Sequence, residues 1–156
     1  MAELAGGYLP DADATMAAGE ALAASLRAGD VVALSGDLGA GKTSFARGLI
    51  RSLGFTGEVP SPTFPIVIPY APPELRLPLW HVDLYRIDDV RELEELGLDE
   101  ARMDSALLIE WPERMGAMLW PDALRLTIER AKGRAGEARR LTWAVPAAWE
   151  GRWPPR

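Results

Sequence analysis

The sequence predicts an α/β fold with a C-terminal β-hairpin. Three observations predict it. The apolar run Val31–Ser35 leads through a glycine-rich loop into a helical segment, as is typical of a strand buried on both faces. A second apolar run, residues 106–109, has the same character and ends at Glu110. Near the C-terminus, two alternating segments flank a basic turn that contains glycine, which is the pattern of a β-hairpin.

In the first part of the chain, one helix is expected before the strand Val31–Ser35 and one after it. A helix over residues 14–28 can be capped by Asp11 or Asp13, because short carboxylates accept hydrogen bonds from the first helical N–H groups. Gly29 fits the position that stops this helix. The glycine-rich loop then enters a second helix over residues 42–53.

Two further strands are expected after a proline-rich stretch. Residues 64–70 can form a strand, but Pro65 and Pro69 confine it to a sheet edge because proline cannot donate to a strand ladder. Residues 80–85 alternate in polarity, so successive side chains point to opposite faces. One face would carry Trp80, Val82 and Leu84, and the other His81, Asp83 and Tyr85.

The remaining elements are short. The sequence predicts a helix over residues 88–96 that is capped at Asp88, a turn over 99–103, and the buried strand 106–109. Pro112 suits the first turn of a short helix that extends to residue 119. The hairpin strands are expected at residues 124–130 and 139–145.

Length and composition narrow the possible functions. The chain has 156 residues, a length typical of one domain, and residues 147–156 are expected to form a loosely ordered tail. It contains no cysteine. Thiol catalysis, disulfides and cysteine-based metal sites are excluded, and a single histidine, His81, excludes a multi-histidine metal site. The net charge of −6 disfavours free-standing nucleic-acid binding. The absence of a long apolar run and of a signal pattern favours a cytoplasmic protein without membrane contact.

The glycine-rich loop carries the main functional motif. It matches the phosphate-loop pattern G-x-x-x-x-G-K-[ST] in full, in the expected context after a strand and before a helix. Backbone N–H groups of such a loop and the positive end of its helix cradle phosphates, while the lysine reaches the β- and γ-phosphates and the hydroxyl binds Mg²⁺. The nucleotide-binding residues are therefore expected to be Gly36, Asp37, Leu38, Gly39, Ala40, Gly41, Lys42, Thr43 and Ser44.

Hydrolysis would also need carboxylates near the metal ion. Glu110 ends a predicted buried strand, as a metal-binding acid of the Walker B type does. Asp83 lies between two apolar residues of its strand, where a carboxylate requires a partner. The residues alone leave open which of the two contacts Mg²⁺ and which positions water, and an ordinary strand-end role or an ion pair is the alternative for each. His81 is interpreted as a packed or hydrogen-bonded strand residue rather than a catalyst, and Trp111 as core or as a wall beside the nucleotide.

A second loop offers hydroxyl groups. Ser61, Pro62 and Thr63 lie between the helix that follows the glycine-rich loop and the next strand. Small GTPases carry a nucleotide-sensing switch at this position. The two hydroxyls could contact a γ-phosphate or a water molecule on Mg²⁺, whereas the alternative is a proline-rich turn with solvated side chains.

Together these motifs resemble one family. GDLGAGKT, SPTF, HVDLYR, ELEELGLDE and IEWPER, in this order, resemble the bacterial ATPases of the TsaE family, which support threonylcarbamoyladenosine (t6A) synthesis in tRNA. The resemblance implies a P-loop NTPase-like fold, a three-layer sandwich with a compact mixed sheet. It also implies weak Mg²⁺-dependent ATPase activity and partnership with TsaB and TsaD, which modify adenosine 37.

The resemblance also implies roles for individual residues. Lys42 would contact phosphate, Thr43 and Glu110 would bind Mg²⁺, and Asp83 would be the second essential carboxylate. Ser61 and Thr63 match the family's switch-like loop, and Thr15 matches a position near the adenine. Pro65 departs from the family's usual threonine, which removes one hydroxyl and one backbone donor. The hairpin loop around Lys132 and Arg134 is a candidate adenine lid that no motif supports.

Two other function classes are compatible with the phosphate loop. A small-molecule kinase needs a lid rich in arginine, and Arg134, Arg139 and Arg140 supply that charge, although on a predicted hairpin. A nucleotide-dependent interaction module would bind without significant turnover. The chain contains no asparagine and hence no Asn-Lys-x-Asp guanine reader, which favours ATP over GTP.

Overall fold

A computed structural model of the chain describes residues 7–62, 66–132 and 136–155. Within these ranges seven strands form one mixed sheet in the order β1-β7-β6-β2-β5-β4-β3. Strands β6, β2, β5 and β4 run parallel, and the flanking strands β3, β7 and β1 are antiparallel to their neighbours. The strands are β1 (Tyr8–Leu9), β2 (Val31–Ser35), β3 (Val67–Tyr70), β4 (Leu79–Asp83), β5 (Ala106–Glu110), β6 (Leu124–Arg130) and β7 (Arg139–Ala144).

Helices cover both faces of the sheet, as the predicted three-layer arrangement requires. Helices α1 (Ala12–Ala23) and α2 (Lys42–Ser52) pack on one face. Helices α3 (Val90–Glu95) and α4 (Leu98–Ala101) and a 3₁₀ helix (Pro112–Met118) cover β4 and β5 on the other. The α/β fold, the mixed sheet and the C-terminal hairpin of β6 and β7 are therefore confirmed.

Helices α1 and α2 approach each other closely because glycines face the contact. A Cβ on Gly19 would collide with the backbone oxygen of Phe45, and a Cβ on Gly48 would collide with that of Met16. The close packing fixes α2 under the sheet, so the N-terminus of α2 is held at the carboxyl end of β2. This is where the glycine-rich loop lies.

The central elements match the predictions most closely. Strand β2 has the predicted bounds, and β5 extends the predicted 106–109 by Glu110. Pro69 lies in β3 at the sheet edge, as expected. On β4, Trp80 and Val82 face the core under α3 and α4, whereas Leu79 packs on the α1–α2 side. The predicted alternation of this strand is therefore correct.

Helix boundaries differ from the predictions for local reasons. Helix α1 begins two residues early because Asp11, rather than Asp13, is the cap and accepts a hydrogen bond from the Ala14 N–H. It ends at Ala23 instead of residue 28, since the following turn is tied to the C-terminal segment through Ser25. Helix α3 is capped by Asp89 instead of Asp88.

The C-terminal segment differs from the expected loosely ordered tail. Trp149 and Trp153 are 1% and 2% exposed and belong to the core under α1. Arg152 forms an ion pair with Asp30 (Nη2–Oδ2 2.5 Å) and lies over the Trp149 ring at 4.1 Å. Burial of two indole rings outweighs the general tendency of terminal residues to be loosely ordered.

The described helices are all too short or too polar to cross a membrane. Residues 133–135, which include Arg134 of the predicted hairpin loop, lie outside the described residues, as do Thr63 and Pro65.

Candidate active site

The glycine-rich loop connects the end of β2 to the start of α2. Its last glycine, Gly41, caps α2 with φ of 111°, and no side chain accepts a hydrogen bond from the first helical N–H groups. Gly39 also has a positive φ, 75°, a conformation that other residues rarely adopt. The positive end of the α2 dipole therefore faces the loop with free backbone donors, which is the general arrangement of an anion site.

Two arginines of strands β6 and β7 hold the loop through its carbonyl groups. Arg139 donates from Nε to the Ala40 carbonyl (2.7 Å) and from Nη2 to the Gly39 carbonyl (3.2 Å). Arg130 donates to the Leu38 carbonyl (3.1 Å). Three consecutive carbonyls of the loop therefore have arginine partners, which restrains the loop conformation.

Lys42 is the first residue of α2 and is almost fully buried. Its Nζ donates to the Gly36 carbonyl (2.6 Å) and lies 4.2 Å from the centre of the Trp111 ring. Burial lowers the pKa of Lys42 below its ordinary value, while the negative charges of Glu110 and Asp83 oppose that shift. The lysine is thus folded back onto the loop beside the two predicted carboxylates.

The two carboxylates end neighbouring parallel strands. Asp83 of β4 and Glu110 of β5 are register partners, so both point to the α2 side of the sheet, and each is 6% exposed. Asp83 accepts a hydrogen bond from the Tyr85 N–H (Oδ1, 2.9 Å), which closes the turn after β4. Glu110 is hydrogen-bonded to His81 (Oε2–Nε2, 2.6 Å).

Trp111 forms a wall directly after Glu110. Its φ is 58°, a left-handed conformation that is unusual for a bulky residue and that occurs preferentially at functional sites. The indole ring packs against the Tyr85 ring in a tilted arrangement, with ring centres 4.9 Å apart and an interplanar angle of 58°. Arg114 lies over the outer side of the Tyr85 ring. This aromatic pair therefore links Lys42 to the surface.

A cleft of about 290 Å³ brings most of the predicted site residues together. Its lining includes the catalytic candidates Lys42, Asp83 and Glu110, and further residues of the predicted nucleotide site: Leu38, Gly39, Gly41, Thr43, Ser44, Ser61 and Trp111. A neighbouring groove of about 410 Å³ shares Trp111 and contains Gly36, Asp37 and Ala40. Residues from five separate stretches of sequence thus meet at the carboxyl edge of the parallel strands, where open α/β sheets bind ligands.

Thr15 occupies a different position from the other candidates. It is 1% exposed, its hydroxyl donates to the Asp11 carbonyl (3.3 Å), and its methyl group packs beneath Gly41. It does not line the cleft in the described part of the chain. Lys132 follows strand β6, and its carbonyl accepts a hydrogen bond from the Tyr8 hydroxyl (3.3 Å).

Sequence reasoning does not find the contact of Arg139 with the loop. It places this arginine only in a candidate kinase lid, because the contact depends on the pairing of β7 with β6. His81 is packed and hydrogen-bonded, as predicted. Its partner, Glu110, is not predicted, although the place of His81 on the same strand face as Asp83 is a signal that could link the two.

The residues present suit a magnesium ion bound together with phosphates. The Thr43 hydroxyl and the carboxylates of Asp83 and Glu110 line one cleft, and hard oxygen ligands are what Mg²⁺ prefers. Among the described residues, no group of three or more histidine, aspartate or glutamate side chains could hold an ion without help. Such a set fits Mg²⁺, which commonly uses one or two carboxylates plus phosphates and water.

Comparisons with known proteins identify related sequences. The family model "Threonylcarbamoyl adenosine biosynthesis protein TsaE" matches residues 9–141. A Streptomyces coelicolor protein described as tRNA threonylcarbamoyladenosine biosynthesis protein TsaE is 49% identical over 128 residues, which are 80% of this chain and 85% of that protein. A Bacillus subtilis protein of the same description is 43% identical over 118 residues, 75% of this chain and 72% of the relative.

A solved structure supports the fold. The crystal structure of Bacillus subtilis YdiB matches with a TM-score of 0.76 and 34% sequence identity, and the match covers 92% of this chain and 87% of that one. The predicted P-loop NTPase-like fold is thereby confirmed.

Proposed function

The chain belongs to the TsaE family of threonylcarbamoyl adenosine biosynthesis proteins, and we propose that it binds and hydrolyses ATP with Mg²⁺ to support t6A formation in tRNA through a TsaB–TsaD-type complex. The observation that carries the proposal is the convergence of Lys42, Thr43, Asp83 and Glu110 in one cleft at the N-terminus of α2. Phosphoryl transfer requires that set of groups: phosphate donors, a metal-binding hydroxyl and carboxylates.

The loop and Lys42 would bind the phosphates. Backbone N–H groups of the loop and of the first turn of α2 supply hydrogen-bond donors to the phosphates, because the first N–H groups of a helix have no acceptor within the helix. Lys42 is released from the Gly36 carbonyl when a phosphate oxygen replaces that neutral acceptor, because its cation interacts more strongly with an anion. Trp111 covers the lysine and excludes water from one side.

Thr43 and Glu110 would hold Mg²⁺, which when bound neutralises charge on the β- and γ-phosphates. Asp83 would accept a hydrogen bond from the attacking water and orient its lone pair towards the γ-phosphorus. In hydrolysis a new P–O bond forms to this water, the bond to the bridging oxygen breaks, and the products are ADP and inorganic phosphate.

Intrinsic turnover is expected to be slow because the cleft lacks a free arginine in the described residues. Arg139 is the one arginine among its described lining residues, and its guanidinium donates to the carbonyls of Gly39, Ala40, Gly136 and Ala138. An arginine aimed at the transition state can accelerate phosphoryl transfer by about 10³–10⁵-fold. A partner protein would have to supply such a cation, and this dependence suits a subunit that works within a complex.

The acidic character of the chain favours an indirect role in tRNA modification. With a net charge of −6, the chain has no overall field that would attract a phosphate backbone. We therefore propose that tRNA is recognised by the partner proteins. The kinase alternative is less favoured, since Arg139 is bound to the loop and Arg140 lies over the Tyr8 ring, so neither is poised as a lid.

The test is phosphate release from ATP by the purified chain, alone and with TsaB and TsaD, in the presence of Mg²⁺. We expect slow release by the chain alone, faster release with the partners, and loss of both with Lys42→Ala. Absence of ATP hydrolysis by the wild type under both conditions would overturn the proposal. Transfer of phosphate to an acceptor other than water would favour a kinase instead.

A further inference from the structure

His81 is the single histidine of the chain, and it is buried next to the candidate site. It lies on β4, is 2% exposed, and is the register partner of Leu108 on β5. Since Leu108 and Glu110 are two residues apart on one strand, their side chains share a face. This places the imidazole diagonally opposite the Glu110 carboxylate, and the distance from Nε2 to Oε2 is 2.6 Å.

The hydrogen-bond network assigns the imidazole tautomer. The other ring nitrogen, Nδ1, is buried and has no hydrogen-bond partner among the described residues. A proton on Nδ1 would leave a buried donor unsatisfied, which costs more than an unpaired nitrogen lone pair of the same ring. The neutral tautomer with the proton on Nε2 avoids that cost, so Nε2 donates and Glu110 accepts.

This hydrogen bond restricts what Glu110 can do. Its Oε2 is committed to His81, and no described residue donates a hydrogen bond to Oε1. A glutamate that ends a strand has three side-chain torsions, and a short bond to a packed ring selects one arrangement of them. The carboxylate is therefore held with one oxygen anchored in the sheet and the other available at the wall of the cleft.

We propose that His81 is a positioning residue for Mg²⁺ binding: it orients Glu110 so that the Oε1 atom of this carboxylate can ligate the metal ion of a bound nucleotide. The inference rests on the proposed function. Partners that hold a metal-binding carboxylate from outside typically contribute about 10- to 100-fold to metal affinity. His81 does not line the cleft, so it would act only through Glu110.

The experiment compares two substitutions of His81. His81→Leu removes the donor but fills the space, whereas the terminal amide of His81→Gln reaches about as far as Nε2 and retains a donor. Leu79→Val is the control, because Leu79 is a fully buried residue on the same strand and face and does not contact Glu110. A non-hydrolysable ATP analogue is titrated calorimetrically into each protein in EDTA, and Mg²⁺ is then titrated into each complex.

We expect His81→Leu to weaken Mg²⁺ binding by about 10- to 100-fold while its nucleotide affinity in EDTA stays within about twofold of the wild type. His81→Gln should restore most of the Mg²⁺ affinity, and Leu79→Val should bind Mg²⁺ like the wild type. The proposal is overturned if His81→Leu binds Mg²⁺ normally, if it loses nucleotide affinity equally with and without Mg²⁺, or if His81→Gln restores nothing.

A third variant protects the test against misfolding. If His81→Leu is not folded by circular dichroism, His81→Gln is compared with His81→Asn, whose shorter side chain cannot reach Glu110. Tighter Mg²⁺ binding by the glutamine variant supports the positioning role, and equal binding contradicts it. Failure of the proposed function would look different, because the wild type would then release no phosphate from ATP, whatever the order of Mg²⁺ affinities among the variants.

Discussion

Replacing Arg139 by methionine should weaken nucleotide binding, although the side chain is not part of the phosphate-loop motif. Arg139 makes two charge-assisted hydrogen bonds to loop carbonyls, to Ala40 at 2.7 Å and to Gly39 at 3.2 Å. Without these hydrogen bonds the loop would be less ordered before binding, so nucleotide binding would have to order it, and the lost conformational entropy would lower the affinity. Methionine keeps much of the apolar stem of the arginine, so the change reports mainly on the lost guanidinium.

The magnitude follows from the number and exposure of these bonds. A hydrogen bond to a charged group contributes about 1.5–3 kcal/mol, and the lower end applies because the guanidinium of Arg139 is only half-buried. Loss of one to two effective bonds costs about 1.5–3 kcal/mol of binding free energy, or roughly 10- to 150-fold in Kd.

The assay is calorimetric titration of ADP and of a non-hydrolysable ATP analogue. Arg139→Lys keeps the charge but not the planar fork, and we expect it to recover only a minor part of the affinity. Arg140→Met is the matched control, since Arg140 is the next residue on β7, is exposed, and lies over the Tyr8 ring. Wild-type affinity in Arg139→Met, or a loss of equal size in Arg140→Met, would refute the proposed role of Arg139 in holding the glycine-rich loop.

Three further results are expected. Thr43→Ala should bind nucleotide normally in EDTA but gain no affinity from Mg²⁺, and a normal gain in calorimetry would remove Thr43 from the metal site. Burial lowers the pKa of Lys42, so its ammonium group loses the proton at lower pH than an ordinary lysine does, and triphosphate affinity should fall as pH rises through that lowered pKa. Lys42→Arg should extend triphosphate binding to higher pH. Identical pH profiles of affinity for the wild type and the variant would contradict the role of Lys42 in phosphate binding. Arg152→Ala breaks a largely buried ion pair with Asp30 and should cost about 3 kcal/mol, the lower end for such a pair. This corresponds to a fall in Tm of roughly 6–12 °C in a thermal melt, and an unchanged Tm would contradict the stabilising role of this C-terminal contact.

The sequence predicted the elements whose local pattern also carries the functional motif. Strand β2, the glycine-rich loop and α2 are contiguous, so one motif predicts all three together with the position of Lys42. The proximity of Asp83 and Glu110 was also predictable, because each ends a strand and the parallel register aligns the two ends. The first prediction depends only on residues that are contiguous in sequence, and the second on the rule that the carboxyl ends of parallel strands lie at one edge of the sheet.

What the sequence did not predict depends on contacts between distant segments. Arg139 reaches the loop only because β7 pairs with β6 beside β2. The two-residue strand β1 pairs with β7, and it is too short to produce a recognisable alternation. The C-terminal segment has the composition of a loop, yet Trp149 and Trp153 are buried, since the sheet leaves space beneath α1 that local composition cannot reveal.

The most direct test of the account is t6A formation in a reconstituted reaction with TsaB, TsaD, tRNA and ATP, in which the wild-type chain is compared with Asp83→Ala and Glu110→Ala. Both variants must first be shown to fold and to bind nucleotide. We predict that the wild type supports continued t6A formation and that both variants, deficient in ATP hydrolysis, do not. If both variants support t6A formation as well as the wild type does, hydrolysis at this cleft is not the function, and the chain acts as a nucleotide-dependent interaction module.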